Sequence, residues 1–221
     1  MALGHFHFHA GDRATHKTFW TEVFGAVPTK VGDLELYKLP GVFIAIDASK
    51  PDGGMEGSTV PKIGLRVRDL ATILSRAAAV GATISEREAN RATITGPEGI
   101  RVAVVADEGL AVQVSSDTIE LNVPDVGIAL NWYKRTFGES IPGVAMAFNK
   151  SLAAPTPTKG RVLDHIGLEI SDLREFTKKL TASGHKVDLM YLKLPDSGVA
   201  IAFVTDPWGT FIELTEGLVR F

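Results

Sequence analysis

Cysteine is absent from the 221 residues of this chain. Its absence excludes disulfides, thiolate nucleophiles and zinc sites built on cysteine. A metal ion would therefore have to be held by histidine, aspartate or glutamate side chains. A chain without cysteine is compatible with either a reducing or an oxidising compartment.

The chain also lacks long apolar runs and a strong excess of either charge. No run approaches the roughly eighteen apolar residues of a membrane span, so we expect no membrane association. The 23 basic and 26 acidic side chains give a net charge of −3, which provides no broad basic surface for nucleic acid. Residues 1–5 lack the basic and apolar regions of a secretory signal. We therefore expect a cytoplasmic protein, although a trimmed, exported form would look the same.

What remains is an ordinary globular composition, with 45% hydrophobic and 22% charged residues. It suffices for one large domain or two small ones.

An internal repeat relates the start of the chain to a segment near its middle. A strand-like run ends in aspartate in both places, at Asp12 and at Asp125. Each aspartate is followed by an aromatic pair and then by a Phe-Gly step. The two copies read Phe19-Trp20 and Phe24-Gly25, then Trp132-Tyr133 and Phe137-Gly138. Such self-similarity is typical of repeated structural units.

A second pair of similar segments completes a four-module pattern. Residues 62–70 resemble residues 165–173, and a glycine, Gly81 or Gly184, follows each segment at the same distance. The pattern predicts an α+β fold of four β-α-β-β-β modules, at 1–50, 59–108, 112–154 and 161–219. We predict two tandem domains, 1–108 and 112–221, with a short boundary near 108–112.

Residue alternation assigns a face to each opening strand. One set is apolar and should pack under the helices: Phe6, Phe8, Ile63, Leu65, Ile119, Leu121, Ile166 and Leu168. The opposite set is largely polar: His5, His7, His9, Lys62, Gly64, Arg66, Thr118, Glu120, Asn122, His165, Gly167 and Glu169. A polar set on that face is either a solvated surface or the lining of a ligand site.

With these motifs the chain resembles the vicinal oxygen chelate superfamily, which includes glyoxalase I, extradiol dioxygenases, fosfomycin-resistance proteins and bleomycin-binding proteins. The likeness extends over nearly all of the chain, as two glyoxalase-like domains in tandem. It is carried by the repeat described above, by the strand 164–168 and by the closing segment 206–214. The resemblance implies paired βαβββ modules that form two curved sheets. A sheet of this kind encloses a cup that usually holds one divalent metal.

The resemblance also implies metal-ligand positions. They fall on His5 in the first module and on His165 and Glu213 in the fourth. The matching positions elsewhere hold Lys62, Ala103 and Thr118, which cannot form an ordinary site. If each half closed on itself, both sites would be incomplete. If the first module pairs with the fourth, one site is complete, and we predict this pairing. The ion expected is Fe, Mn, Ni or Zn.

Several other polar residues have more than one possible role. His7 and His9 share the face of His5, so either is a fourth ligand, a general base or polar lining. Tyr191 is a candidate proton donor, with core packing or a surface position as the alternative. Glu120 is a candidate replacement ligand in the incomplete site. We expect His16 and His185 to be solvated.

The function predicted from this resemblance is a metal-dependent lyase, isomerase or dioxygenase. His5, His165 and Glu213 would hold the ion, and His7 and Tyr191 are the candidate catalytic residues. The substrate would be a small molecule with two adjacent oxygens. The alternative is a metal-free, non-catalytic protein of the bleomycin-binding kind. A monomer and a homodimer both fit, and one half of the chain could merely support dimerisation.

Overall fold

The computed structural model describes residues 1–32, 34–195 and 197–221. Its helices are α1 Arg13–Thr18, which continues as a π-helical turn over Phe19–Val23, α2 Leu70–Ala79, α3 Val126–Phe137 and α4 Leu173–Ala182. Its strands are β1 Ala2–His9, β2 Val27–Val31, β3 Leu34–Leu39, β4 Val42–Asp47, β5 Lys62–Val67, β6 Thr83–Ser85, β7 Arg91–Thr95, β8 Arg101–Ala106, β9 Val114–Val123, β10 Ala145–Lys150, β11 Leu163–Glu169, β12 Val187–Lys193, β13 Ala200–Thr205 and β14 Phe211–Glu216. Short 3-10 turns cover Pro97–Gly99 and Leu218–Arg220. None of the described helices is long and apolar enough to cross a bilayer.

The fold is α+β, and its strands form two sheets, as predicted. The larger sheet has the order β12-β13-β14-β11-β1-β4-β3-β2, and the smaller has the order β10-β9-β5-β8-β7-β6. The first, second and fourth modules have the predicted β-α-β-β-β order. The third is shorter, because only β10 follows its helix in the described chain. β10 runs parallel to β9, as the closing strand runs beside the opening strand in each of the other modules. The two missing strands would therefore precede β10, and the segment 138–144 between α3 and β10 is too short to hold them.

The modules pair across the two halves of the sequence. In the larger sheet β1 of the first module runs antiparallel to β11 of the fourth. In the smaller sheet β5 of the second module runs antiparallel to β9 of the third. The predicted pairing of the first module with the fourth is therefore confirmed. The boundary proposed at 108–112 falls between β8 and β9, and the division into two domains along the chain stays a prediction.

The repeated aspartates begin the helices. Asp12 accepts hydrogen bonds from the backbone N–H groups of Ala14 and Thr15 at the start of α1. Asp69, Asp125 and Asp172 accept in the same way at the starts of α2, α3 and α4. A carboxylate at this position satisfies N–H groups that the first helical turn leaves unpaired. The repeat in the sequence is thus a repeat of helix starts.

The apolar face of each opening strand packs under the helices as predicted. Its eight residues are buried in one continuous hydrophobic core: Phe6, Phe8, Ile63, Leu65, Ile119, Leu121, Ile166 and Leu168. Because neighbouring side chains on a strand alternate, the polar set of the same strands lies on the opposite faces of the two sheets.

Side-chain contacts join the two modules of each half. In the first half, the His16 Nε2 of α1 lies 2.9 Å from the Glu98 Oε2 of the second module. Glu98 also accepts a hydrogen bond from the backbone N–H of Gly11 at 3.0 Å. The prediction that His16 is solvated is wrong, since its side chain is fully buried. His185 is half-buried, with its ring 5.6 Å from that of Trp132.

In the second half, the Tyr133 hydroxyl of α3 donates a hydrogen bond of 2.8 Å to the Asp206 Oδ2 of the fourth module. Both residues are buried, and burial raises the pKa of Asp206 above its ordinary value. The backbone N–H groups of Trp208 and Thr210 donate to the other oxygen of Asp206. The contact therefore fixes α3 of the third module to the turn before β14.

We expect Tyr133→Phe to lower the free energy of unfolding by about 1–3 kcal/mol, because it removes a donor from a buried carboxylate. Urea unfolding followed by circular dichroism measures this loss. Tyr37→Phe is the matched control, since the Tyr37 hydroxyl donates to Glu35, whose side chain is 41% exposed. Equal losses in the two variants would contradict the role given to the buried contact.

Candidate metal centre

Three side chains distant in the sequence converge on the larger sheet. The Nε2 atom of His5 lies 3.1 Å from the Oε2 atom of Glu213. The Nε2 atom of His165 lies 2.8 Å from the same oxygen. The convergence follows from the sheet order, because β11 lies between β1 and β14 and pairs with both. The structure therefore brings together the three residues that the sequence singled out as metal ligands.

A glycine makes room for the His5 ring. In the ladder between β1 and β11, His5 is opposite Gly167. A Cβ atom added at Gly167 would lie 2.1 Å from both the Nδ1 and the Cε1 atom of His5. The imidazole thus occupies the space above a residue that has no side chain.

Asp164 orients the ring of His165. The Nδ1 atom of His165 lies 2.6 Å from Asp164 Oδ1, and the backbone N–H of Gly160 donates to Asp164 Oδ2 at 2.6 Å. Burial acts to raise the pKa of Asp164, but the hydrogen bonds from His165 and Gly160 hold it below its ordinary value. An ionised carboxylate only accepts hydrogen bonds, so Nδ1 of His165 carries a proton. The Nε2 atom is then the one directed at Glu213.

Sequence analysis did not identify Asp164 as a functional residue. Strand alternation places neighbouring residues on opposite faces, so Asp164 should face away from His165. In the structure the ladder pairs His7 with His165 and Phe8 with Leu163, so that Asp164 is the extra residue of a bulge. A bulge redirects a side chain relative to the regular alternation. The sequence does place an aspartate directly before His165. The bulge is what brings its carboxylate to the His165 ring.

The charges of the cluster require a cation between Glu213 and His165. With a proton on Nδ1, a neutral His165 would present a lone pair to the Glu213 carboxylate at 2.8 Å. Burial acts to lower the pKa of His165, but its contacts with Asp164 and Glu213 raise it above the ordinary value. Burial acts to raise the pKa of Glu213, but His5 and His165 hold it far below its ordinary range. A proton on Nε2 or a metal ion satisfies this arrangement.

The distances also suit a metal ion. Donors bound at about 2.1 Å and at right angles to one another lie about 3 Å apart. The 3.1 Å and 2.8 Å separations within the cluster match that value. The donor atoms of His5, His7, His165 and Glu213 all lie within 4.8 Å of one another. The residues present therefore fit one divalent ion with nitrogen and oxygen ligands.

His7 lies beside the cluster and is held by Asp47. The Nε2 atom of His7 is 3.2 Å from Asp47 Oδ2, and the His9 Nε2 atom is 3.4 Å from the same oxygen. The ring centroid of His7 is 4.5 Å from that of His165. Burial, with His165 and His5 adding to its effect, lowers the pKa of His7 to about 4. His7 is therefore neutral near pH 7.

The structure does not bring Tyr191 to this cluster. Its ring lies 4.1 Å from the guanidinium carbon of Arg174 on α4, and it packs against the core beneath the helices. Tyr191 is absent from the described residues that line the cavity beside the cluster. Packing, which was the alternative for this residue, agrees with its position.

The smaller sheet carries a lysine where the larger sheet carries His165. A cavity on this sheet, the six-strand cavity, is lined by Lys62, Ala103, Thr118 and Glu120 among others. The Nζ atom of Lys62 lies 2.9 Å from Glu86 and 3.6 Å from Glu120. The predicted incomplete site is thus assembled in one place. Lys62 occupies it, and Glu120 pairs with this ammonium group.

Comparison with known proteins gives no match among family models or curated proteins. Among solved structures, glyoxalase I from Zea mays aligns with a TM-score of 0.73 at 14% identity, over 97% of this chain and 92% of that one. A Bacillus subtilis protein with a provisional dioxygenase assignment aligns with a TM-score of 0.70 at 12% identity, over 98% and 85%. The CppA protein of Streptococcus pneumoniae aligns with a TM-score of 0.56 at 12% identity, over 98% of both chains.

The chain shares its fold with glyoxalase I from Zea mays. At these identities the likeness establishes the architecture and not the reaction. Within this fold, a second cavity of about 430 Å³ lies on the larger sheet, and we call it the eight-strand cavity. His5, His7, His165 and Glu213 are part of its lining. The metal-ligand candidates are therefore accessible to a molecule of small-ligand size.

Proposed function

We propose that this protein is a metal-dependent enzyme that acts on a small molecule with two adjacent oxygens. The observation that supports this proposal is the convergence of His5, His165 and Glu213 beside a cavity. The Nε2 atoms of His5 and His165 lie 3.1 Å and 2.8 Å from Glu213 Oε2. In this proposal these three residues hold one divalent ion, which is Fe, Mn, Ni or Zn.

When bound, the ion would supply Lewis-acid chemistry that stabilises negative charge developing on a substrate oxygen. Three protein donors leave further coordination positions for the two oxygens of the substrate. Asp164 fixes the ring of His165 so that its Nε2 atom is directed into the site. Gly167 leaves the space in which the ring of His5 is seated.

His7 is the group we propose to move a proton. Because Asp47 only accepts hydrogen bonds, the Nε2 atom of His7 carries the proton in their 3.2 Å contact. The Nδ1 atom then holds a lone pair that can accept a proton from the substrate. A neutral imidazole with this arrangement of proton and lone pair can act as a general base. Proton abstraction from a substrate with two adjacent oxygens fits a lyase or an isomerase, and an iron ion in the site would supply the chemistry of ring-opening dioxygenation.

A second candidate is a metal-free binding protein, which the apolar walls of the eight-strand cavity favour. Uptake of a metal ion distinguishes the metal-dependent enzyme from the metal-free binding protein. We expect chelator-treated protein to take up one equivalent of Mn(II), Ni(II), Zn(II) or anaerobic Fe(II), as measured by calorimetry and elemental analysis. Loaded protein is then screened with hemithioacetals and catechols. Protein that takes up none of these ions would overturn the enzyme proposal.

Only a small-molecule substrate is required as a partner. A cytoplasmic location and a monomeric or dimeric state stay predictions.

The Asp164→Asn variant tests how His165 is oriented. We expect it to weaken affinity for the ion by about 10- to 100-fold, the usual effect of removing a carboxylate that supports a histidine ligand. Asp47→Asn serves as the comparison, because Asp47 contacts His7 and not the three ligands. We expect this second variant to retain ion affinity and to lose turnover. An Asp164→Asn variant that binds the ion as tightly as wild type would contradict the role of this contact.

A further inference from the structure

The eight-strand cavity is apolar apart from its metal-ligand edge. Its walls include Leu36, Ala45, Val199, Ile201, Phe203 and Leu218. No lysine or arginine is among the described residues that line it. Apart from His5, His7, His165 and Glu213, its described polar side chains are the hydroxyls of Ser197 and Thr215. A ligand that entered this cavity would meet hydrocarbon on most sides.

The six-strand cavity shows that the fold does not require apolar walls. In the larger sheet Ile201 pairs with Thr215 and Phe203 pairs with Glu213. In the smaller sheet Arg91 and Thr93 hold the corresponding places, paired with Val105 and Ala103. The six-strand cavity, at about 530 Å³, is also lined by charged residues such as Glu86 and Glu88. The two sheets share one architecture, but the side chains that line their cavities differ in polarity and charge.

The apolar wall is also separate from the main core. Val31, Leu36, Phe43, Ala45, Val199 and Leu218 form their own buried cluster, against which Ile201 packs. The main core under the helices contains none of these residues. Leu34 lines the same cavity and is 52% exposed. All of these side chains except Phe43 line the cavity, so the cluster covers the cavity rather than the interior beneath the helices.

We propose that the substrate of this site is uncharged and apolar apart from its two adjacent oxygens, such as an alkyl- or aryl-substituted molecule. The inference rests on the proposed metal site. A carboxylate or phosphate group on the rest of the substrate would lose its hydration here without a cation to pair with. An alkyl or aryl group would gain from leaving water. The volume of about 430 Å³ limits the substrate to a small organic molecule.

Calorimetry with three catechols on zinc-loaded protein tests this proposal, since zinc avoids redox turnover. We expect tert-butylcatechol to bind at least tenfold more tightly than catechol. We expect dihydroxybenzoate, which has a carboxylate in place of the alkyl group, to bind no more tightly than catechol. The proposal would be overturned if dihydroxybenzoate bound as tightly as tert-butylcatechol. It would also be overturned if catechol and tert-butylcatechol bound equally tightly.

The Ile201→Arg variant tests the wall itself. The smaller sheet already carries arginine at the corresponding place, so the architecture accommodates this side chain. We expect the variant to bind dihydroxybenzoate at least tenfold more tightly than wild type and tert-butylcatechol less tightly. Arg91→Ile, in the six-strand cavity, should change neither affinity. Leu34→Arg, at an exposed wall position, is the second variant if Ile201→Arg does not fold, and unchanged preferences in the folded variant would overturn the proposal.

Failure of the metal site and failure of this inference give different results. Absence of uptake of all four ions, Mn(II), Ni(II), Zn(II) and Fe(II), would overturn the proposed function only. Metal-free protein can then be titrated with tert-butylphenol and hydroxybenzoate, which report on the walls alone. Binding of the phenol without binding of the benzoate supports the apolar substrate class, and the reverse order overturns it.

Discussion

The His5→Ala variant is expected to bind a divalent ion at least a hundredfold more weakly than the wild-type protein. Four-ligand structural zinc sites are worth about 10–16 kcal/mol, so one ligand accounts for about 3 kcal/mol, which corresponds to roughly a hundredfold in affinity. His5 is 4% exposed, and its Nε2 atom lies 3.1 Å from Glu213 Oε2. Its loss removes one of the three proposed donors. Calorimetric titration of chelator-treated protein with zinc measures the change.

Thr118→Ala is the matched control for this variant. Thr118 occupies in the smaller sheet the place that His5 occupies in the larger one, since Gly64 and Gly167 lie beside them. The control also truncates an opening-strand side chain to alanine, but on the face of the six-strand cavity. We expect its ion affinity to equal that of wild type. If His5→Ala bound zinc normally, the three-residue metal centre would be wrong.

The second large effect is expected from the Gly167→Ala variant, which adds one methyl group and removes no donor. That methyl would lie 2.1 Å from the Nδ1 and Cε1 atoms of His5. The ring must move, and we expect ion affinity to fall by at least tenfold. Crowding of this kind also lowers the free energy of unfolding by about 1–3 kcal/mol. Zinc titration and urea unfolding of the same preparation measure both effects.

The Gly64→Ala variant distinguishes the effect of an added methyl group on stability from its effect on ion affinity. Its added Cβ would lie 3.1 Å from the Cβ and N atoms of Thr118, so a small local shift suffices. We expect some loss of stability and no loss of ion affinity. Retention of full affinity in Gly167→Ala would show that the His5 ring does not need its place above residue 167.

Much of the architecture was predictable from short-range patterns. The apolar runs on either side of Pro40-Gly41 predict two strands at 34–39 and 42–47, because runs separated by such a turn have few other conformations. The structure has β3 and β4 at these positions. The same holds for α2 and α4, whose glycines mark their ends. The third module has fewer strands than its copies, because the segment 138–144 between α3 and β10 is too short for the two strands that precede the closing strand elsewhere.

Other features depend on contacts that no local pattern contains. His16 has the sequence context of a solvated helix residue, yet Glu98, 82 positions later, meets it in the interior. Tyr191 occupies a position that alternation alone could not assign, and Arg174 covers its ring on the helix side. In both cases the deciding neighbour belongs to a different element, whose approach depends on how the modules pack.

By itself the sequence determined the four repeated modules and the repeated aspartates, and its resemblance to a known superfamily implied three candidate donors. Periodicity and helix capping act over a few residues, so they can be read along one strand or helix. Only the tertiary structure decided the register in which β1 lies beside β11, the bulge that turns Asp164 toward His165, and the apolar walls of one of two similar cavities. These features arise from the register between strands that are far apart in the chain, and register depends on the packing of the whole sheet.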